Sequence, residues 1–170
     1  MEHRTDQFGQ TGKHVQNGTP EGYTAITPFI VTSDPRKAIA FYEAVFQVKL
    51  KNATEMDVNG ESMIVHAEVD FGNGNIQLGA ANPAYGLVLP PDEGQACYSL
   101  CIYVPNVDRT LELAVEHGAT VREPVVDFVS GDRYGSILDP CGIRWSIMTR
   151  MEDISEEESQ RRVEEWSKSQ

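Results

Sequence analysis

His66 and Glu68 form the one close titratable pair in this chain suited to general acid–base work. Both lie in a run, Met63 to Phe71, that alternates apolar and polar as a strand does, so two-residue spacing puts them on one face. A carboxylate beside an imidazole can raise its pKa and poise it for proton transfer. Ile64, His66, Glu68 and Asp70 share that face, and the opposite row of Met63, Val65, Ala67 and Val69 is expected to meet a helix. The His66 row, with Gln77 from the next strand, then lines a cleft or simply meets water. Cys97, Cys101 and Cys141 are odd in number and not at zinc spacings, which argues against a disulfide framework or a zinc knuckle. Cys97 and Cys101, four apart on one strand, read as small core-filling residues. There is no Gly-rich phosphate loop, no Ser-His-Asp order and no basic stripe.

A length of 170 residues fits one domain, or two small modules sharing a core. Hydrophobic content of 40% and charged content of 24% are ordinary for a globular chain. The net charge of −12 would repel nucleic acid and anionic membrane surfaces and is compatible with a cationic ligand. No apolar run approaches the ~20 residues that span a bilayer, and no signal-peptide core opens the chain, so the default expectation is cytoplasmic.

The elements that position these residues follow in order. Residues 1–22 hold only Met1, Phe8 and Val15 as large apolar side chains, which predicts a disordered or extended arm with His3 and His14 solvated. Ala25, Ile26, Phe29, Ile30 and Val31 mark a strand interrupted by Pro28. Ser33-Asp34-Pro35 opens a helix over about 35–46, with Ala38, Ile39, Phe41, Tyr42, Val45 and Phe46 on its apolar face. Val48 and Leu50 begin a short strand, Asn59-Gly60 signals a hairpin, and Gly72-Asn73-Gly74 turns the Met63 strand into Ile76 to Ala80. A loop over 82–94 follows. The order then repeats with a strand Tyr98 to Val104, a helix ending at His117-Gly118, a strand Val121 to Val129, and a last hairpin. Ser155 caps an acidic helix running to about Ser167, with Val163 and Trp166 suited to docking.

The last hairpin, Gly131 to Met148, joins Tyr134–Leu138 to Ile143–Met148 through Asp139-Pro140-Cys141-Gly142. Ile143, Trp145 and Ile147 point one way, and Arg144, Ser146 and Met148 the other. This D-P-x-G hairpin resembles the last hairpin of the vicinal oxygen chelate superfamily, which includes glyoxalases, bleomycin-resistance proteins and extradiol dioxygenases. The G-D-R-Y-G lead-in and the R-W-S ending look like the bleomycin-resistance branch, whose members often lack the metal. The run I-V-T-S-D-P-R-K-A-I-A-F-Y resembles the family's first strand and helix. Laying Val31 on Val104, an offset of 73 residues, also aligns Arg36 with Arg109, Glu43 with Glu116 and Val48 with Val121, as an old duplication would. The resemblance covers about 24–149. It implies an α+β fold of two β-α-β-β-β modules (23–81 and 95–150), whose curved mixed sheets form a cleft. It also implies a homodimer.

The resemblance further implies four metal-ligand positions, which fall on Thr27, within Gly79 to Ala81, on Ser99 and on Ser146. None is His, Asp or Glu, so no metal and no other cofactor is expected. If Ser99 and Ser146 face the cleft, alternation sends Cys101, Tyr103, Arg144 and Met148 there too, and Phe29 accompanies Thr27. Arg133 and Tyr134 sit at a strand start within reach of a ligand, while Trp145, Phe41 and Tyr42 belong to the core. One hypothesis is a binding protein for a small, partly aromatic molecule. It would stack on Phe29, Tyr103, Tyr134 and Met148 and be anchored by His66, Glu68, Gln77 and Arg144, with antibiotic sequestration or self-resistance as one version. The alternative is a glyoxalase-like enzyme, an isomerase or lyase that is metal-free or has an atypical metal site, with His66 and Glu68 as its candidates.

Overall fold

The structure, a computed structural model, describes residues 9–58, 60–90 and 95–170. Asp34 accepts from the Lys37 amide at 3.0 Å and Pro35 presets the first turn, so α1 runs Pro35–Phe46. Its apolar stripe of Ala38, Ile39, Phe41, Tyr42 and Val45 is buried. Asn106 caps α2, Val107–Glu116, in the same way, and Gly118 ends it at φ +91°. Each helix lies against a four-stranded sheet.

The first sheet holds β3 (Phe29–Thr32), β4 (Lys49–Val58), β5 (Glu61–Asp70) and β6 (Asn75–Ala80) in the order β3-β6-β5-β4. The second holds β7 (Leu100–Tyr103), β8 (Thr120–Asp127), β9 (Asp132–Leu138) and β10 (Arg144–Arg150) in the order β7-β10-β9-β8. In each, the first strand runs parallel to the fourth and the other pairs are antiparallel. The predicted order of elements is therefore repeated strand for strand, but the helix caps Asp34 and Asn106 set the two copies in register at 72 residues rather than 73. The sheets are separate, and neither closes into a barrel.

One core serves both modules. Ile30, Tyr42, Val69 and Leu78 of the first and Ile137, Ile143, Trp145 and Ile147 of the second are all buried. Trp145 packs 5.2 Å from Tyr42, 4.7 Å from Phe46 and 5.8 Å from Phe71, ring centre to ring centre. At the seam the buried Asp139 accepts from the Tyr42 hydroxyl at 2.7 Å, the Trp145 indole at 3.3 Å, and the amides of Cys141 and Ile143 at 2.8 and 2.9 Å. Burial still pushes the Asp139 carboxyl upward.

Several sequence expectations change. Residues 9–22 are not a plain arm. Asn17 (φ +48°) and Gly18 (φ +79°) form a tight turn joining β1 (Val15–Gln16) to β2 (Thr19–Pro20), because Asn-Gly readily adopts two positive φ angles. His14 is exposed beside Glu21, while His3 lies outside the described residues. The strand after Val48 is ten residues long rather than short, because it pairs along the whole of β5. Asn59 of the expected hairpin turn lies outside the described residues, and Gly60 has φ +86°.

A bulge at Val65 breaks the predicted alternation of β5. Ile64 is buried with Ala67 and Val69 instead of joining His66. Cys97 and Cys101 are exposed, not core, since Leu100 and Ile102 take the packed side of β7. Beyond the second module, α3 (Glu156–Lys168) is capped by Ser155 and docks Trp166 against Phe128, with ring centres 5.2 Å apart.

Candidate functional site

Both sheets carry a polar row across the face turned away from the helices. In the first, register aligns Phe29 of β3, Gln77 of β6, Glu68 of β5 and Asn52 of β4. Glu68 is its centre, accepting from the Tyr23 hydroxyl, from Asn52 at 2.8 Å and from Gln77 at 3.2 Å. These donors, Tyr23 foremost, hold the Glu68 carboxyl below the usual carboxylate range against the opposing effect of burial. Phe29 and His66 pack with ring centres 6.0 Å apart, and a Cβ on Gly79 would sit 3.2 Å from the Phe29 ring. The same Cβ would also collide with the Val65 carbonyl oxygen, so only glycine fits under the bulge. Beside Phe29 opens a cavity of about 340 Å³, bordered by Val88, Leu89, Pro90, Cys97 and Tyr98.

In the second sheet the matching row is Cys101, Ser146, Ser136 and Glu123. Glu123 accepts from Ser136, from the Tyr134 hydroxyl at 2.7 Å, and from Arg144, whose Nη2 lies 2.9 and 2.7 Å from its two oxygens. The Ser136 and Tyr134 hydroxyls, then Arg144, hold the Glu123 carboxyl low, while Tyr134 and Glu123 raise the Arg144 guanidinium. Ser99 and Ser146 share a hydrogen bond of 2.8 Å. Tyr103, Met148 and Tyr134 make the adjoining apolar row by register.

The predicted site residues thus gather in two groups: Phe29, His66, Glu68 and Gln77 on the first sheet, and Ser99, Cys101, Tyr103, Tyr134, Arg144, Ser146 and Met148 on the second. Arg133 is tied up elsewhere, 2.8 Å from both Asp108 and Asp127. Sequence reasoning missed Tyr23, Asn52, Glu123 and Ser136. Pro124, which suits an edge strand, was the one local hint that Glu123 lies on a margin. His66 and Glu68 do not hydrogen-bond each other among the described residues, and Glu68, with three donors and a lowered pKa, is a poor proton acceptor.

The family model described as "Glyoxalase/Bleomycin resistance protein/Dioxygenase superfamily" matches residues 21–147. The chain belongs to this superfamily. Among curated relatives, the uncharacterized protein Mb0911c of Mycobacterium bovis is 29% identical over 141 residues, covering 80% of this chain and 90% of its own. Uncharacterized protein Rv0887c of Mycobacterium tuberculosis matches with the same identity, over 80% of each chain. Three solved structures share the superfamily's fold. PA1353 from Pseudomonas aeruginosa has a TM-score of 0.63 at 20% identity, covering 76% of this chain and 99% of its own. TioX from Micromonospora sp. ML1 has a TM-score of 0.57 at 21%, covering 75% and 98%. The fosfomycin resistance protein FosX from Mesorhizobium loti has a TM-score of 0.54 at 13%, covering 73% and 89%.

The superfamily's metal can be tested against the donors present. Ser146 lies opposite Cys101 as Gln77 lies opposite Phe29, so the internal repeat moves the second ligand position from Gly79–Ala81 to Gln77. Thr27, Gln77, Ser99 and Ser146 then offer hydroxyls and one amide, which do not fit a divalent metal of this kind. Among the described residues no three His, Cys, Asp or Glu side chains converge as a ligand set.

Proposed function

We propose that this protein binds a small, partly aromatic molecule on its open sheet faces and holds it without turnover. The single observation that carries the reading is the pair of matched rows. Each row holds a hydrogen-bonded carboxylate, and the same open face carries an exposed aromatic side chain, Phe29 on one sheet and Tyr103 on the other. A few fixed polar anchors among apolar walls are what ligand sites are made of. One version of this reading is protection against a toxic small molecule, the kind of role for which the fold neighbour FosX is named. Two copies are proposed to pair as a homodimer, as the family resemblance implies.

The test is a ligand screen by amide-resolved NMR on the full chain, with mass spectrometry of the recovered compound. The expected result is stoichiometric binding with shifts on β5, β6, β9 and β10 and the compound returned unchanged. Consumption of the compound, or near-stoichiometric metal in protein purified without chelators or an affinity tag, would overturn the reading and favour an enzyme.

A further inference from the structure

The internal repeat provides its own control. Glu123 and Glu68 occupy corresponding rows, and each is held by neutral hydroxyl or amide donors. Glu123 also has a cation, Arg144 at 2.7 Å. Glu68 has no arginine or lysine: among the described residues neither pairs with it, the His66 imidazole being the charge-bearing neighbour that helps hold its pKa down, and Asn75, the register counterpart of Arg144, is a buried neutral side chain bonded to the Gly22 carbonyl at 2.9 Å. Lys51, on the neighbouring strand, instead places Nζ 4.4 Å from the centre of the Tyr23 ring. One face of that ring therefore already receives a cation, as aromatic faces favour. Phe29, 37% exposed, adds a second ring and borders the 340 Å³ cavity.

We propose that the first-sheet face is a site for an organic ammonium group, with Glu68 as its counter-ion, Tyr23 and Phe29 as aromatic walls, and the ligand's apolar part in the cavity beside Phe29. The inference rests on the binding reading above and adds the ligand's charge. A bare metal ion does not suit the site, which offers one carboxylate among neutral donors. A guest cation would balance Glu68 as Arg144 balances Glu123. The chain's net charge of −12 raises the local concentration of such a ligand. Tyr23 precedes the first module's strands, so the segment leading into the fold becomes part of the site.

The test titrates the full chain with benzyltrimethylammonium and with its neutral carbon isostere, neopentylbenzene, following amide and Gln77 side-chain NMR signals. The cation is expected to bind at least tenfold more tightly, with shifts centred on Glu68 and Gln77. Glu68→Gln should weaken it at least tenfold, and Tyr23→Ala about threefold to tenfold. Glu112→Gln, the same charge change on an exposed α2 residue, should leave it unaltered. Each variant's amide spectrum is first checked for the native fold. Equal affinity for both probes on this face would overturn the cation proposal while leaving the face a ligand site, as would undiminished binding by folded Glu68→Gln. Failure of these probes and of a broad aromatic panel to shift either face would overturn the binding reading as well.

Discussion

The two modules share one plan but solve the same problem differently. Each sets a carboxylate in the polar row of its open sheet face and steadies it with uncharged donors. The second module completes the arrangement with its own arginine, whereas the first leaves its carboxylate with neutral partners and brings an aromatic ring, Tyr23, over from outside the sheet. The first also bends its third strand with a bulge at Val65, above a glycine at the position where the second module carries Met148. Both copies keep the strand order and an apolar packed side, filled by Ile39 and Leu78 in one and by Leu111 and Ile147 in the other. The open faces have no such constraint and diverged.

The comparison can be broken most forcefully at Gly79. A methyl there meets backbone rather than a flexible side chain, so Gly79→Ala should cost about 3 kcal/mol of stability in urea unfolding. Met148→Ala, at the corresponding place, only removes a half-buried side chain and should cost clearly less. Gln77→Arg would give the first module the cation it lacks. It should weaken benzyltrimethylammonium about tenfold, equivalent to roughly 1.4 kcal/mol, and unaltered affinity would break the parallel between the rows.

Glu123→Gln should lower stability at pH 7 by about 0.5–1 kcal/mol, discounted because Glu123 is 46% exposed. Its folded pKa is depressed, so the stabilisation it supplies is present above the usual carboxylate range and is lost as pH falls through the folded value. The gap between variant and parent should therefore close on acidification, and a gap that widened would contradict the assignment. Lys51→Met, which removes the rival cation from the Tyr23 ring, should raise affinity for the ammonium probe about twofold.

Much of this was legible from residue order. The start of α1, the end of α2 and the last hairpin follow from Asp34-Pro35, Gly118 and the Asp139-Pro140-Cys141-Gly142 turn, where local chemistry leaves the backbone few choices. Arg144, Ser146 and Met148 were placed on the open side because Ile143, Trp145 and Ile147 alternate with them without interruption. The misplacements come from bulges, which shift alternation by one. Ile64 was assigned to the wrong face by the bulge at Val65, and Glu123 escaped notice between two register shifts in β8. Tyr23 could not be found by period at all, since its contact with Glu68 spans 45 residues and starts outside any strand.

The hydrogen bond between Tyr42 and Asp139 joins residues 97 apart. Its consequence appears during synthesis: α1 leaves the ribosome well before the hairpin that supplies Asp139 and Trp145. At about 5–20 residues per second, that interval is roughly 5–20 s. Through it the first module's helix and sheet can assemble, but one flank of its core waits uncovered. Completion of the nascent chain's fold is thus timed by its last hairpin, and a holding chaperone would find its target in the Tyr42–Phe46 surface during that pause.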